Sequence, residues 1–159
     1  MHDAPPLMED ALLAQKAYIW ARHLSVVVNE TSCLYHSRAG GENIYFRWST
    51  EDISEEELAR ETIKAFYEEV KYYNYSRPGL LLPAAHFTNL VWKNCRKMGI
   101  GLYHMDYRNS HGGCNVIATP RRPAHGYMVV IHQWPNSNIM SQSQFRENVL
   151  PAKRLFTFA

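Results

Sequence analysis

The sequence predicts an α+β domain in which helices pack on an antiparallel-rich sheet. Three observations lead there. Apolar residues recur at helical spacing through much of the first half, the period changes to strand-like alternation from about residue 100, and 159 residues with 46% hydrophobic content suffice for one core. A chain of that length buries roughly 70% of the surface its unfolded form exposes. With no internal repeat, low-complexity tract or Gly/Ser linker, residues 1–159 read as one domain.

From Pro6 to about Leu24, the residues Leu7, Ala11, Leu12, Ala14, Ala17, Tyr18, Ala21 and Leu24 fall at helical spacing, and Pro5-Pro6 suits a helix start. A second helix is announced by Ser54 at the cap, Glu57 three residues on, and Ile53 with Leu58 as a hydrophobic staple; it should run to about Tyr72. Its buried stripe is read as Leu58, Thr62, Ile63, Phe66, Val70 and Tyr73, with Glu69 beside it. Turn chemistry follows from Asn74 to Gly79. A third helix is expected from about His86 to Lys97, with Lys93, Arg96 and Lys97 favouring its C-terminus and Gly99 as a left-handed cap. Ile100–Tyr107, Asn115–Thr119 and Tyr127–Trp134 then read as strands, separated by turns at Gly112-Gly113 and Pro120 to Pro123. Helices thus come first and strands later.

Seventeen Lys+Arg against fifteen Asp+Glu give a net charge of only +2, too small a bias for a nucleic-acid surface. No apolar run approaches the roughly 20 residues that span a bilayer. The opening Met1-His2-Asp3-Ala4 has neither a signal-peptide pattern nor a myristoylation glycine. Cys33, Cys95 and Cys114 form no CxxC pair and suggest a reduced, cytoplasmic chain without a disulfide framework. Two glycosylation sequons, Asn29-Glu30-Thr31 and Asn74-Tyr75-Ser76, matter only if the chain enters the secretory pathway.

No stand-alone catalytic motif is present: HExxH, GxSxG, GxxxxGK[ST] and GxGxxG are all missing. Ser37 adjoins His36, but neighbours in sequence need not meet in space. Four phrases in order carry more information: Gly41-Glu42-Asn43-Ile44-Tyr45, His86-Phe87-Thr88-Asn89-Leu90-Val91-Trp92-Lys93-Asn94, Met98-Gly99-Ile100-Gly101, and Glu147-Asn148-Val149-Leu150-Pro151. Together they resemble the CAP superfamily of cysteine-rich secretory proteins, antigen 5 and pathogenesis-related proteins. The run Glu69-Val70-Lys71-Tyr72-Tyr73-Asn74-Tyr75 and the scarcity of cysteine resemble its Golgi-associated, plant-pathogenesis-related branch.

The resemblance implies a three-layer α-β-α sandwich with an antiparallel-rich central sheet. It also implies a cleft of two histidines and two acids, here His36, Glu42, Glu69 and His86. Such a set can hold a divalent ion such as Zn2+ with room for water, or exchange protons without metal. Each residue also has a plainer reading: Glu42 bonding a turn, His86 at a helix start, Glu69 at a solvated edge. The family helix carrying a His-Asn-x-x-Arg phrase has no counterpart upstream, so the domain is read as N-terminally truncated relative to the family. That start leaves an extracellular destination open beside a cytoplasmic or peripheral endomembrane one. Ala85, Asn89 and Gln133 also depart from the commoner residues at their positions.

The functional expectation is a non-enzymatic protein that binds sterol, fatty acid or anionic phospholipid and associates with membranes. Tyr75, Leu80, Leu81 and Leu82 are the candidate lipid contacts, because an apolar loop beside aromatic residues suits a headgroup interface. The alternative for the three leucines is packing on the sheet. Two other functions stand beside lipid binding: a zinc-dependent or protease-like hydrolase using the same cleft, and a homodimeric interaction module.

Overall fold

The computed structural model describes residues 2–108, 114, 120 and 122–153. The elements are β1 (Met8–Glu9), α1 (Ala11–Thr31), β2 (Glu42–Ser49), α2 (Glu55–Glu68), α3 (Ala85–Leu90), β3 (Lys97–Tyr107), β4 (Ala124–Trp134) and α4 (Gln142–Asn148). The sheet order is β1-β3-β4-β2, antiparallel except for the short parallel pair of β1 with β3.

β4 is central and buried on both faces, and its alternation divides two cores. Met128 and Val130 join Ala17, Ala21, Leu24 and Val28 under α1. Tyr127, Val129 and Ile131 join Ile53, Leu58 and Phe66 of the α2 side. Helices therefore cover both faces, the expected α-β-α layering. A third cluster ties α3 to the chain end through Phe87, Val91, Trp92, Phe145 and Val149. There Asn148 holds the turn after α3: its carbonyl accepts from Lys93 N (3.1 Å) and its Oδ1 from Asn94 N (3.0 Å). The Asn-Val-Leu-Pro phrase is thus a clamp.

The Met-Gly-Ile-Gly phrase has an equally direct cause. Gly99 and Gly101 point the same way from β3, and a Cβ on either would stand 2.0–2.1 Å from the backbone nitrogens of Ala14 and Tyr18. Without side chains at these two positions, α1 lies backbone-on-backbone against the sheet.

Several expectations are corrected. α1 begins after Asp10, whose carboxylate accepts from Leu12 N and Leu13 N, and it runs to Thr31; Met8–Glu9 form a strand, and the prolines precede that. The third helix stops at Leu90 rather than Lys97, and Gly99 lies within β3 instead of capping a helix. Strand β2 falls between α1 and α2, so helices and strands interleave. Its side chains are mostly half-buried, and the alternation is masked by aromatic residues on both faces. Ile63 is 45% exposed, outside the buried stripe. α2 does begin at Ser54, whose Oγ accepts from Glu57 N, and it continues as a 3-10 turn over Glu69–Tyr72. The expected strand Asn115–Thr119 and the turn at Gly112-Gly113 lie outside the described residues.

The reading of the cysteines is also overturned. Cys33 and Cys114 form a disulfide across 81 residues, and Cys95 is the buried free thiol. Burial pushes the Cys95 thiol up to about 11, which makes it unreactive. Three scattered cysteines looked unpaired because sequence separation carries no information on which loops meet.

Candidate functional site

Glu42 opens β2 immediately after Gly41, which sits at φ +70° where a side chain would strain the turn. Strand alternation places Glu42 on the face of Ile44 and Phe46, the α1 side. Its buried carboxylate accepts from His36 Nδ1 (2.8 Å), Ser37 N (3.0 Å), Ser37 Oγ (2.5 Å) and His132 Nε2 (2.8 Å). Burial alone would raise its pKa; the bonds from His132, His36 and Ser37 outweigh that and hold it at about 2. Glu42 in turn raises the pKa of His36 through their hydrogen bond, against the opposing effect of burial.

His132 was missed by sequence reasoning. It stands directly opposite Glu42 in the β2–β4 register, so the signal lay in strand pairing, which β2 had to be recognised to supply. Ser37 donates its hydroxyl to Glu42 rather than to His36, so no Ser–His hydrogen-bonded pair is formed here.

The second pair lies on the other side of the sheet's register. Glu69, in the 3-10 turn after α2, accepts from His86 N (2.9 Å), Phe87 N (3.1 Å) and His86 Nδ1 (2.7 Å). One carboxylate thus both caps the start of α3 and fixes the imidazole, which also stacks on Phe66 at 4.8 Å and 11°. Asn43, next to Glu42 on β2, points the opposite way, donates to the His86 carbonyl (3.1 Å) and accepts from Asn89 Nδ2 (2.7 Å). Ser137 donates to the same Asn89, closing a buried polar network.

The four predicted residues therefore stand as two His–Glu pairs. Because a carboxylate only accepts, His36 and His86 each donate from Nδ1, which leaves Nε2 of the neutral ring as a bare nitrogen. That is the carboxylate–histidine arrangement that orients a metal ligand. A converging His/Asp group among the described residues lies elsewhere: ligand atoms of Asp52, His104 and His125 fall within 4.8 Å of one another. Nothing in the sequence announces this group, since its members are 21 to 73 residues apart and join no phrase.

Of the candidate lipid contacts, Leu80, Leu81 and Leu82 are exposed, Leu82 at 80%. Tyr75 differs: it is half-buried against Tyr73, with the rings 5.0 Å apart. A further apolar surface lies between α2 and the sheet, a groove of about 210 Å3 lined by Leu58, Ala59, Ile63, Ile100, Leu102 and Ile131 among others. Ile100, beside it on β3, is 47% exposed.

Comparison with known proteins agrees with this architecture. Residues 1–129 match the CAP family, the cysteine-rich secretory protein family. The chain is 30% identical over 158 residues to the human Golgi-associated plant pathogenesis-related protein 1, covering 96% of this chain and 85% of that one. Among solved structures it is similar to the hookworm platelet inhibitor (TM-score 0.58, 14% identity, 91% of this chain and 62% of that chain). It is also similar to NaASP2 with Zn2+ (TM-score 0.54, 16% identity, 89% of this chain and 66% of that one). The chain thus spans somewhat under two thirds of either structural relative.

Proposed function

The chain belongs to the CAP family, and from that premise we propose that it is a non-enzymatic lipid-binding domain that takes a single acyl chain in the groove between α2 and the sheet. The observation that carries this reading is the groove itself. It exposes Ile63 and Ile100 along one apolar channel, and contiguous exposed apolar surface commonly marks a binding site. Its volume lies below the roughly 300–1,000 Å3 of pockets that enclose drug-sized ligands, which suits a slender chain held along an open channel.

The exposed Leu80, Leu81 and Leu82 would add peripheral contact with a bilayer, in keeping with the absence, among the described residues, of any helix long and apolar enough to cross one. The Cys33–Cys114 bridge favours an oxidising lumen or exterior over the cytoplasm. The likeness to a protein named as Golgi-associated supports endomembrane location. Where zinc is present, His36 and His86 would hold it, with Glu42 and Glu69 fixing their rings; the ion would supply Lewis acidity. NaASP2, solved with Zn2+, supports that capacity. A serine-nucleophile hydrolase is the weaker reading, because the hydroxyl of Ser37 is committed to Glu42.

The test is binding of a fluorescent long-chain fatty acid to the purified protein and to Ile63→Glu. Ile63 is already substantially exposed, so this variant should fold, and a charge in the groove should weaken binding at least tenfold. Unchanged affinity would remove the groove from the assignment.

A further inference from the structure

At the end of the sheet away from Glu42, three side chains from three separate elements meet. Asp52 lies in the loop before α2, His104 on β3 and His125 on β4. Register explains the histidines: His104 pairs with Tyr127 and His125 with Asp106, so the two rings are diagonal neighbours across the β3–β4 ladder. We propose that Asp52, His104 and His125 form a binding site for a divalent first-row transition metal of the zinc type, separate from the His–Glu pairs, with the remaining coordination positions open to water.

The spacing fits. His104 Nε2 and His125 Nδ1 are 3.0 Å apart. Two imidazole nitrogens on one tetrahedral zinc, each at about 2.0–2.1 Å, stand roughly 3.3 Å apart. The metal would therefore replace the proton between the rings with a few tenths of an ångström of adjustment. The carboxylate is placed from behind. Tyr127 Oη donates to Asp52 Oδ1 (2.5 Å) and accepts from Ile53 N (2.8 Å), which leaves Oδ2 for the ion. The Tyr127 ring also stacks on His104 at 4.7 Å and 2°, fixing that imidazole. One tyrosine thus orients two of the three ligands, the outer-partner role typical of metal sites.

The donor set selects the metal. Two imidazoles and one carboxylate suit zinc, copper or nickel, whereas magnesium and calcium prefer oxygen alone. Three protein ligands with an open position distinguish the site from a closed structural knot. Since the ligands belong to three elements, bound metal would tie the start of α2 to the β3–β4 ladder and stabilise only the folded chain. Glu55, Leu58 and Leu102 line both the space in front of this cluster and the apolar groove, so the site stands at one end of that groove.

The experiment is a zinc titration of the EDTA-treated, dialysed full chain by calorimetry, repeated in His36→Ala/His86→Ala to remove the two histidines proposed above to take zinc. One equivalent should bind in that background. Adding His104→Gln and His125→Gln should weaken it more than 100-fold, a larger loss than the roughly 10–100-fold from losing an outer partner. Tyr127→Phe should keep the stoichiometry and weaken binding about 10–100-fold. No zinc bound in the His36→Ala/His86→Ala background, or full binding without His104 and His125, overturns the proposal. Should the glutamine variants fail to fold, zinc protection of His104 and His125 from diethylpyrocarbonate is read by mass spectrometry in the wild type: protection supports the site, and equal labelling with and without zinc rejects it.

Discussion

Replacing Gly101 with alanine tests the claim that α1 rests on bare backbone. The added Cβ would stand 2.1 Å from Tyr18 N and 2.2 Å from Ala17 C, more than 1 Å inside ordinary van der Waals contact. Both obstructing atoms are helix backbone, so no rotamer change relieves the overlap. α1 must move away from β3, and it is the helix that buries Ala17, Ala21, Leu24 and Val28. Overpacking of this kind costs about 1–3 kcal/mol, and rigid neighbours put it near the top of that range. Removing a glycine from a strand returns roughly 0.5–1 kcal/mol. The net loss is about 2 kcal/mol, and a domain of this size loses about 2–4 °C of Tm per kcal/mol. Differential scanning calorimetry should therefore show Gly101→Ala melting roughly 4–8 °C lower. Gly79→Ala is the control, because nothing lies within 4 Å of its added Cβ. If Gly101→Ala melted within 1 °C of wild type, the close approach of α1 would be wrong.

Acid stability reports on Glu42, whose folded pKa of about 2 lies below its ordinary 4.5. Its contribution is full above about pH 4.5 and vanishes as pH falls through about 2, so Glu42→Gln should flatten the denaturation midpoint across that window, measured by urea titration. His36 is raised instead, so its contribution is full below pH 6.5 and fades as pH climbs through the raised value; His36→Gln should remove that loss and weaken the acidic one only in part, because His132 and Ser37 still bond Glu42. Thiol counting tests the bridge: the native protein should show no reactive thiol, and the denatured, unreduced protein one, Cys95. Cys33→Ser with Cys114→Ser should cost about 2–4 kcal/mol by chemical denaturation, given the long loop that the disulfide closes.

How much was legible in the residues varies by the range of the interaction concerned. The α2 start was readable because Ser54 and Glu57 lie within one turn and the cap bond joins them directly. β4 was readable because a centrally buried strand is a continuous apolar run. β2 was not, since Tyr45, Phe46 and Trp48 put large side chains on both faces and blur the alternation. α3 was overextended because Lys93, Arg96 and Lys97 look like a helix C-terminus, whereas Lys93 N and Asn94 N bond to Asn148 instead of to a preceding turn. His36, Glu42, Glu69 and His86 were named through family phrases, and their pairing as His36–Glu42 and His86–Glu69 comes from the tertiary structure. His132 and the Asp52–His104–His125 group had no phrase to announce them.

Local chemistry and periodicity by themselves determined the α+β fold class, a capped second helix and a buried strand near the end of the chain. Tertiary structure alone decided which carboxylate meets which histidine, that Cys33 reaches Cys114, and that Ile63 and Ile100 line an open groove. The physical reason is reach. Caps, turns and amphipathic faces are set by groups within a few residues, while disulfides, cross-strand pairs and ligand clusters depend on strand register and layer packing, which the whole chain settles at once.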